Sequence, residues 1–443
     1  MISESQSNSP WLSRLFSVLV LFQATGCSLF RPPVPDAIPV YHARSETESL
    51  RAGAAVVDIT PSENLWMGGY GILRMSEGVH DALYARVLVL ESGDLRLGLV
   101  ALDLVGLQYQ DVLSIREGLE GIDPRHVVVA STHTHSGPDT IGIWGFPPFV
   151  SGVDEQYAEQ VKGGVLEAYQ TALKSLRPVE VAYGAKDVSE TGILKNIRRP
   201  GVVDREIVVL HVREAGGGPT VATVVEVGCH PEVLGDWNRQ ITADFPHWTV
   251  AKVEAELGGV AIYVSGALGA MVTPDVLRRE PPNPAEEWSE AERVGNHLGG
   301  DALSVVGSFG EYRSGDGLRL WHAPMFLRNQ NFQYDLIRWT GLIERQAYGS
   351  GYFRTEVNLW QVGRFRLATI PGEMTPGLGL RVKRALAGEP TMLVGLANDE
   401  LGYLLPAAEY DLPIYEYERT LCAGPDTADR IVRRLEDLGL LAE

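Results

Sequence analysis

Apolar runs of strand length alternate with longer helical patterns from residue 54 to residue 441, and this alternation constrains the fold more than any other feature of the chain. Strand candidates are residues 54–59, 83–90, 95–102, 126–130, 179–183, 207–212, 221–227, 260–264, 365–370 and 394–397. Helical patterns cover residues 154–176, 246–257, 287–306, 376–387 and 426–441. The first opens on acidic residues suited to a helix N-terminus, and the second is stopped by Gly258-Gly259. Interleaving of this kind predicts an α/β domain, with a mixed α+β arrangement as the variant. No linker divides residues 51–443, so they read as one large sheet-and-helix domain.

The N-terminus reads differently. Arg14 precedes an apolar core, residues 15–22, and Ala24-Thr25-Gly26-Cys27 follows it. That pattern reads as a lipoprotein-type signal peptide over residues 1–26, with Cys27 the lipidated first residue of the mature protein. The first reading puts the protein in the cell envelope, lipid-anchored; an uncleaved anchor is the alternative, and either way the rest of the chain lies outside the cytoplasm. Residues 27–50 carry Pro32, Pro33, Pro35 and Pro39 and read as a stiff tether without regular structure.

Charge removes one class of partner. A net charge of −19 excludes sequence-independent nucleic-acid binding, which needs basic surface to displace counterions. Beyond Cys27, only Cys229 and Cys422 remain, as a disulfide or as two buried thiols.

Chemistry concentrates at strand ends. Ser131-Thr132-His133-Thr134-His135-Ser136-Gly137-Pro138 follows the apolar run 126–130. Two imidazoles at i and i+2 at a strand end project to one side, and imidazole is both a metal ligand and a general acid/base. His230-Pro231 repeats the arrangement after another strand, and Glu373 lies in Pro371-Gly372-Glu373 after a third. Asp244 precedes a helix and reads first as its N-cap. Tyr403 follows Asn398, Asp399 and Glu400. Residues 141–150, rich in aromatic and apolar side chains, read as a lip beside the site or as a loop folded on the core. The His-Glu-x-x-His pattern is absent, leaving two histidines and a carboxylate, a set adequate for zinc with an open position.

These patches together resemble the neutral/alkaline (non-lysosomal) ceramidase family. Val57-Asp58-Ile59-Thr60-Pro61, Met67-Gly68-Gly69-Tyr70-Gly71, the histidine run, His230-Pro231, Pro371-Gly372-Glu373 and Gly395-Leu396-Ala397-Asn398 with Tyr403 match in order. The resemblance implies Zn2+ held by His133, His230, Glu373 and Tyr403, with His135 beside it as acid/base. It implies that Arg198, or its neighbour Arg199, contacts the reacting group and that Asp244 orients a ligand. The implied activity is zinc-dependent hydrolysis of N-acyl amides, ceramide-like lipids first, by metal-activated water. One segment departs: the family's Gly-Asp-Val-Ser-Pro reads here Gly269-Ala270-Met271-Val272-Thr273-Pro274. Thr273 supplies a hydroxyl, but the inserted residue alters its placement. Hydrolysis of another amide, ester or lactone, or a non-catalytic lipid-anchored binding protein, therefore stands as the alternative.

Overall fold

The computed structural model describes residues 32–34, 38–46 and 49–442, apart from 148, 190–192, 277–281, 316, 344 and 387–389. Its larger sheet has eight strands, in the order Val260–Ser265, Thr220–Val227, Glu206–Glu214, Arg177–Asp187, Arg51–Asp58, Tyr84–Ser92, Leu95–Leu102, Val127–Ser131. Only the outermost pair at each end is parallel; the inner pairings are antiparallel. Parallel neighbours need a crossover, and each has a helix in it, Tyr109–Glu117 at one end and Phe245–Leu257 at the other.

A second sheet lies against the first. Tyr41–Arg44, Leu318–Arg328, Tyr352–Val362, Phe365–Thr369 and Thr391–Val394 run in that order, with Ala347–Tyr348 paired to Tyr352–Val362. Between the sheets, Leu88, Leu97, Leu99 and Leu210 meet Leu320, Trp360, Phe365 and Leu367. Phe365 sits 5.3 Å, ring to ring, from Tyr183 of the facing sheet.

Helices cover both outer faces, giving four layers. Glu155–Lys174 is capped by Asp154, which accepts from Tyr157 N at 2.8 Å. It lays Tyr157, Val161, Val165, Ala168 and Ala172 on the larger sheet, an i, i+4 stripe of helical period. Phe245–Leu257 and Pro284–Gly307 cover the other half of that sheet. Pro376–Ala385 and Thr427–Ala442 cover the smaller one. Because the larger sheet is buried on both faces, most of its strands read as continuous apolar runs rather than alternating ones. The mixed α/β class expected from the sequence is the class observed.

Two expectations change, and one open alternative closes. The tether does not lack regular structure: Tyr41–Arg44 pairs antiparallel with Leu318–Arg328, from Tyr41 opposite His322 to Arg44 opposite Arg319. Its prolines end at Pro39, so every residue of that strand can donate, and the folded domain begins before Arg51. The strand expected over 394–397 ends at Val394, beyond which the backbone leaves the sheet. Cys229 and Cys422 are two buried free thiols. The signal segment and Cys27 lie outside the described residues. Among the described residues, no helix is long and apolar enough to cross a membrane.

Phe365→Ala empties the space between the sheets, and we expect a loss of about 3–5 kcal/mol of stability. Urea unfolding followed by circular dichroism checks it.

Candidate metal centre

At the opposite edges of the larger sheet, two strands finish side by side. Ser265 Oγ, ending one, donates to Thr132 O, just past the other, at 2.8 Å. After Ser131 the strand geometry stops, so the i, i+2 expectation does not hold: His133 has φ +69°. Its amide donates to Leu104 O at 2.9 Å, and a left-handed turn rather than strand pleat brings the two imidazoles together. The His133 and His135 rings are 4.9 Å apart, and His230 lies 5.0 Å from the first and 5.6 Å from the second.

Hydrogen bonding orients these rings. His133 Nδ1 lies 2.5 Å from Val105 O, and His230 Nδ1 lies 2.8 Å from Val272 O. A carbonyl only accepts, so each Nδ1 carries the proton and each Nε2 presents its lone pair inward. Glu373 reaches the same point from the smaller sheet. Its Oε2 is 3.0 Å from His230 Nε2 and its Oε1 is 3.6 Å from His133 Nε2. Burial opposes the charge on Glu373, and two things can offset it: protonated imidazoles at His133 and His230, which hold the carboxyl low, or a cation between the three groups with both Nε2 atoms unprotonated. His135 Nε2 comes within 3.4 Å of His133 Nε2. One ligand atom from each histidine lies within 4.8 Å of those of the other two. Lone pairs and a carboxylate thus converge in a buried space, and such a donor set is completed by a cation. The three histidines, with Glu373, can hold a metal.

Tyr403 stands on the same wall: its backbone pairs in parallel with Glu373, and its hydroxyl lies 3.9 Å from Met271 Sδ. Burial first, then the Glu373 charge, push its phenol well above the ordinary range. Asp244 does cap the helix Phe245–Leu257, accepting from Phe245 N at 2.6 Å. Its other oxygen accepts from Leu234 N at 3.0 Å, so it braces the loop that follows His230. Arg198 Nε donates to buried Glu418 at 2.6 Å, whereas Arg199 pairs with Glu409 nearer the surface. Thr273 does not line the pocket, and its buried hydroxyl lacks a hydrogen-bond partner. The inserted residue is absorbed by two left-handed residues, Ala270 and Met271, and the segment's Val272 carbonyl orients His230.

Above the histidines opens a pocket with mostly apolar walls, among them Val105, Ile141, Trp144, Tyr334, Ile337 and Ile343. The loop 141–150 therefore does both things expected of it. Its first half, Ile141 to Trp144, packs into the wall, while Phe146, Phe149 and Val150 face outward. Three residues went unassigned in the sequence. Glu232 Oε2 lies 3.5 Å from His135 Nδ1, two residues beyond His230, a spacing that pointed to it. Glu400 and Tyr417 line the pocket with no local pattern to mark them.

Comparison with known proteins gives this geometry a context. The sequence model for neutral/alkaline non-lysosomal ceramidase, N-terminal region, matches residues 50–270. The neutral ceramidase of Pseudomonas aeruginosa is 24% identical over 292 residues, 60% of this chain and 43% of that protein. The chain belongs to the neutral/alkaline ceramidase family. The crystal structure of that neutral ceramidase superimposes with a TM-score of 0.73 at 20% identity, over 89% of this chain and 74% of the other. A structure of ceramidase complexed with C2 gives 0.73 at 19% identity, over 89% and 75%. The sequence match to the curated ceramidase spans less than half of that protein's length, and the structural match establishes the shared fold.

Room for His135 in this ceramidase-family site depends on Gly69, at φ +95°, where an added Cβ lies 2.4 Å from His135 Cγ. Gly69→Val should displace that ring and cost about 1–3 kcal/mol through overpacking. Denaturant unfolding, with the His135 imidazole resonances as the local readout, checks both effects.

Proposed function

We propose that this chain is a zinc-dependent hydrolase of N-acyl amides, with ceramide-like lipids the first candidates. The observation that carries the reading is the inward convergence of His133 Nε2, His230 Nε2 and the Glu373 carboxylate at the pocket beneath apolar walls. These three side chains, with Tyr403 on the adjoining wall, would hold the metal. Zinc, when bound, supplies Lewis acidity to a carbonyl and makes water nucleophilic near neutral pH.

Other side chains have tasks in this reading. His135 stands between His133 and Glu232, placed to pass a proton to a departing amine. The Tyr403 hydroxyl is a donor for the oxygen on which negative charge develops. Arg198 does not line the pocket; it is held by Glu418, whose chain neighbour Tyr417 does. Ile141, Ile337 and Ile343 give an acyl chain an apolar surface, burying about 0.8 kcal/mol per methylene. Attachment through lipidated Cys27 would keep this pocket at a membrane face of the cell envelope, where such substrates reside.

Metal analysis of the purified protein, joined to a mass-spectrometric screen of acylated amines against matched esters, tests the proposal. We expect stoichiometric zinc and release of fatty acid from amides. His133→Ala and His230→Ala should each lose the zinc and reduce turnover to the blank. Turnover that persists in metal-free protein overturns the mechanism; faster cleavage of the esters overturns the amide assignment.

A further inference from the structure

One pocket residue has an acceptor atom that the protein leaves unused. Glu400 is buried in the wall, and its Oε1 accepts from Gly402 N at 2.9 Å. Its Oε2 is buried and has no hydrogen-bond partner among the described residues. Most buried polar side-chain atoms find a hydrogen-bond partner in the protein or in ordered water. One that does not, at the wall of a pocket, calls for a donor brought in by a ligand.

The side chain is not there by slack. Asp399 Oδ1 accepts from Glu400 N at 2.9 Å, and buried Arg345 Nη2 donates to that same oxygen at 2.5 Å and to Glu400 O at 3.3 Å. Glu400 Cγ packs against Gly106, opposite Ile141. Gly402, which donates to Glu400, also accepts from the Glu373 amide at 3.0 Å, so the carboxyl is tied to the backbone of a metal-ligand candidate. It is therefore a fixed hydrogen-bonding group close to the reacting end of a channel whose walls are mostly apolar.

We propose that Glu400 is a specificity-determining residue that reads a hydroxyl group lying a few bonds from the scissile amide. This rests on the amide-hydrolase reading above. A site with a buried acceptor discriminates against the analogue that lacks the donor, because the acceptor is then left unmet in a desolvated pocket. The hydroxyl can belong to the amine portion, as in an N-acyl amino alcohol, or to carbon 2 of the acyl chain.

Three matched lauroyl amides separate these sources: N-lauroyl ethylamine, N-lauroyl ethanolamine and N-(2-hydroxylauroyl) ethylamine. Steady-state kcat and KM for each, and calorimetric affinities measured in parallel, are compared for the wild-type protein, Glu400→Gln and Glu400→Leu. In the wild type, one hydroxylated amide should be favoured over N-lauroyl ethylamine by roughly tenfold in kcat/KM, about what a single hydrogen bond contributes. Glu400→Leu should erase that ratio, and Glu400→Gln, which keeps a carbonyl acceptor, should retain part of it. Because each ratio is internal to one variant, a lowered yield of folded protein does not imitate the effect. A preference in Glu400→Leu equal to that of the wild type overturns the assignment and leaves the hydrolase reading standing. A Glu400-dependent preference in affinity without turnover does the reverse.

Discussion

Everything at the centre of this molecule depends on how residues 395–398 cross from one sheet to the other. Gly395 N donates to Ser265 O at 2.7 Å, Ser131 N to Leu396 O at 3.2 Å, and Asn398 N to Val129 O at 2.7 Å. Asn398 Oδ1 returns the contact by accepting from Val129 N at 3.0 Å. One short segment of the smaller sheet's chain thus satisfies the exposed edge of Val127–Ser131 and touches the end of Val260–Ser265. An uncovered edge would be a template for unwanted pairing. Covered in this way, it also fixes Glu373 and Tyr403, which pair in a two-stranded sheet of their own, against the histidines, which follow strands of the larger sheet.

Backbone strain collects at the same place. His133, Asp244, Ala270, Met271, Leu396 and Asn398 all have positive φ without being glycine. Each such residue persists only where its surroundings over-determine it. Here the surroundings are identifiable: Leu104 O and Val105 O hold His133, Leu234 N and Phe245 N hold Asp244, and Val129 holds Asn398. Strain and fixed hydrogen bonds leave the Nε2 atoms of His133 and His230 few other directions to face. The arrangement favours a cation that meets the donors where they already are.

Much of the larger sheet was legible in the sequence because its strands are apolar on both faces and bounded by turn residues. The long pair in the smaller sheet was not. Leu318–Arg328 contains Pro324, which ordinarily argues against a strand away from an edge. Pro324 is tolerated because Tyr41–Arg44 pairs only with Arg319 to His322, so no described strand lies beside the proline on that side. Tyr352–Val362 carries Glu356 and Asn358 into the interior, which masks its apolar face. Glu356 is met by Arg116, at 2.7 Å, and Tyr109, at 3.1 Å, from a helix more than two hundred residues earlier, with His322 Nδ1 3.8 Å away. Among the site residues, the histidines and Glu373 were visible as polar groups at the ends of apolar strands. Glu400 and Tyr417 were not, since what singles them out is the pocket they line.

That difference divides the site into two parts with different physical origins. The cation end is assembled from strand termini and carbonyls of the sheets, so it is rigid and tied to the fold itself. The opposite wall comes from connecting segments: the loop after Pro138, the helix Phe332–Trp339 with Ile343, and the stretch from Asp399 to Leu421. Those segments are free to change without disturbing the sheets. The insertion at Met271 lies at the boundary, since its sulfur faces Tyr403 while its neighbour Val272 orients His230. A site built this way can keep the chemistry at its histidine end and vary what it accepts, because the residues that shape acceptance are not those that hold the sheets together.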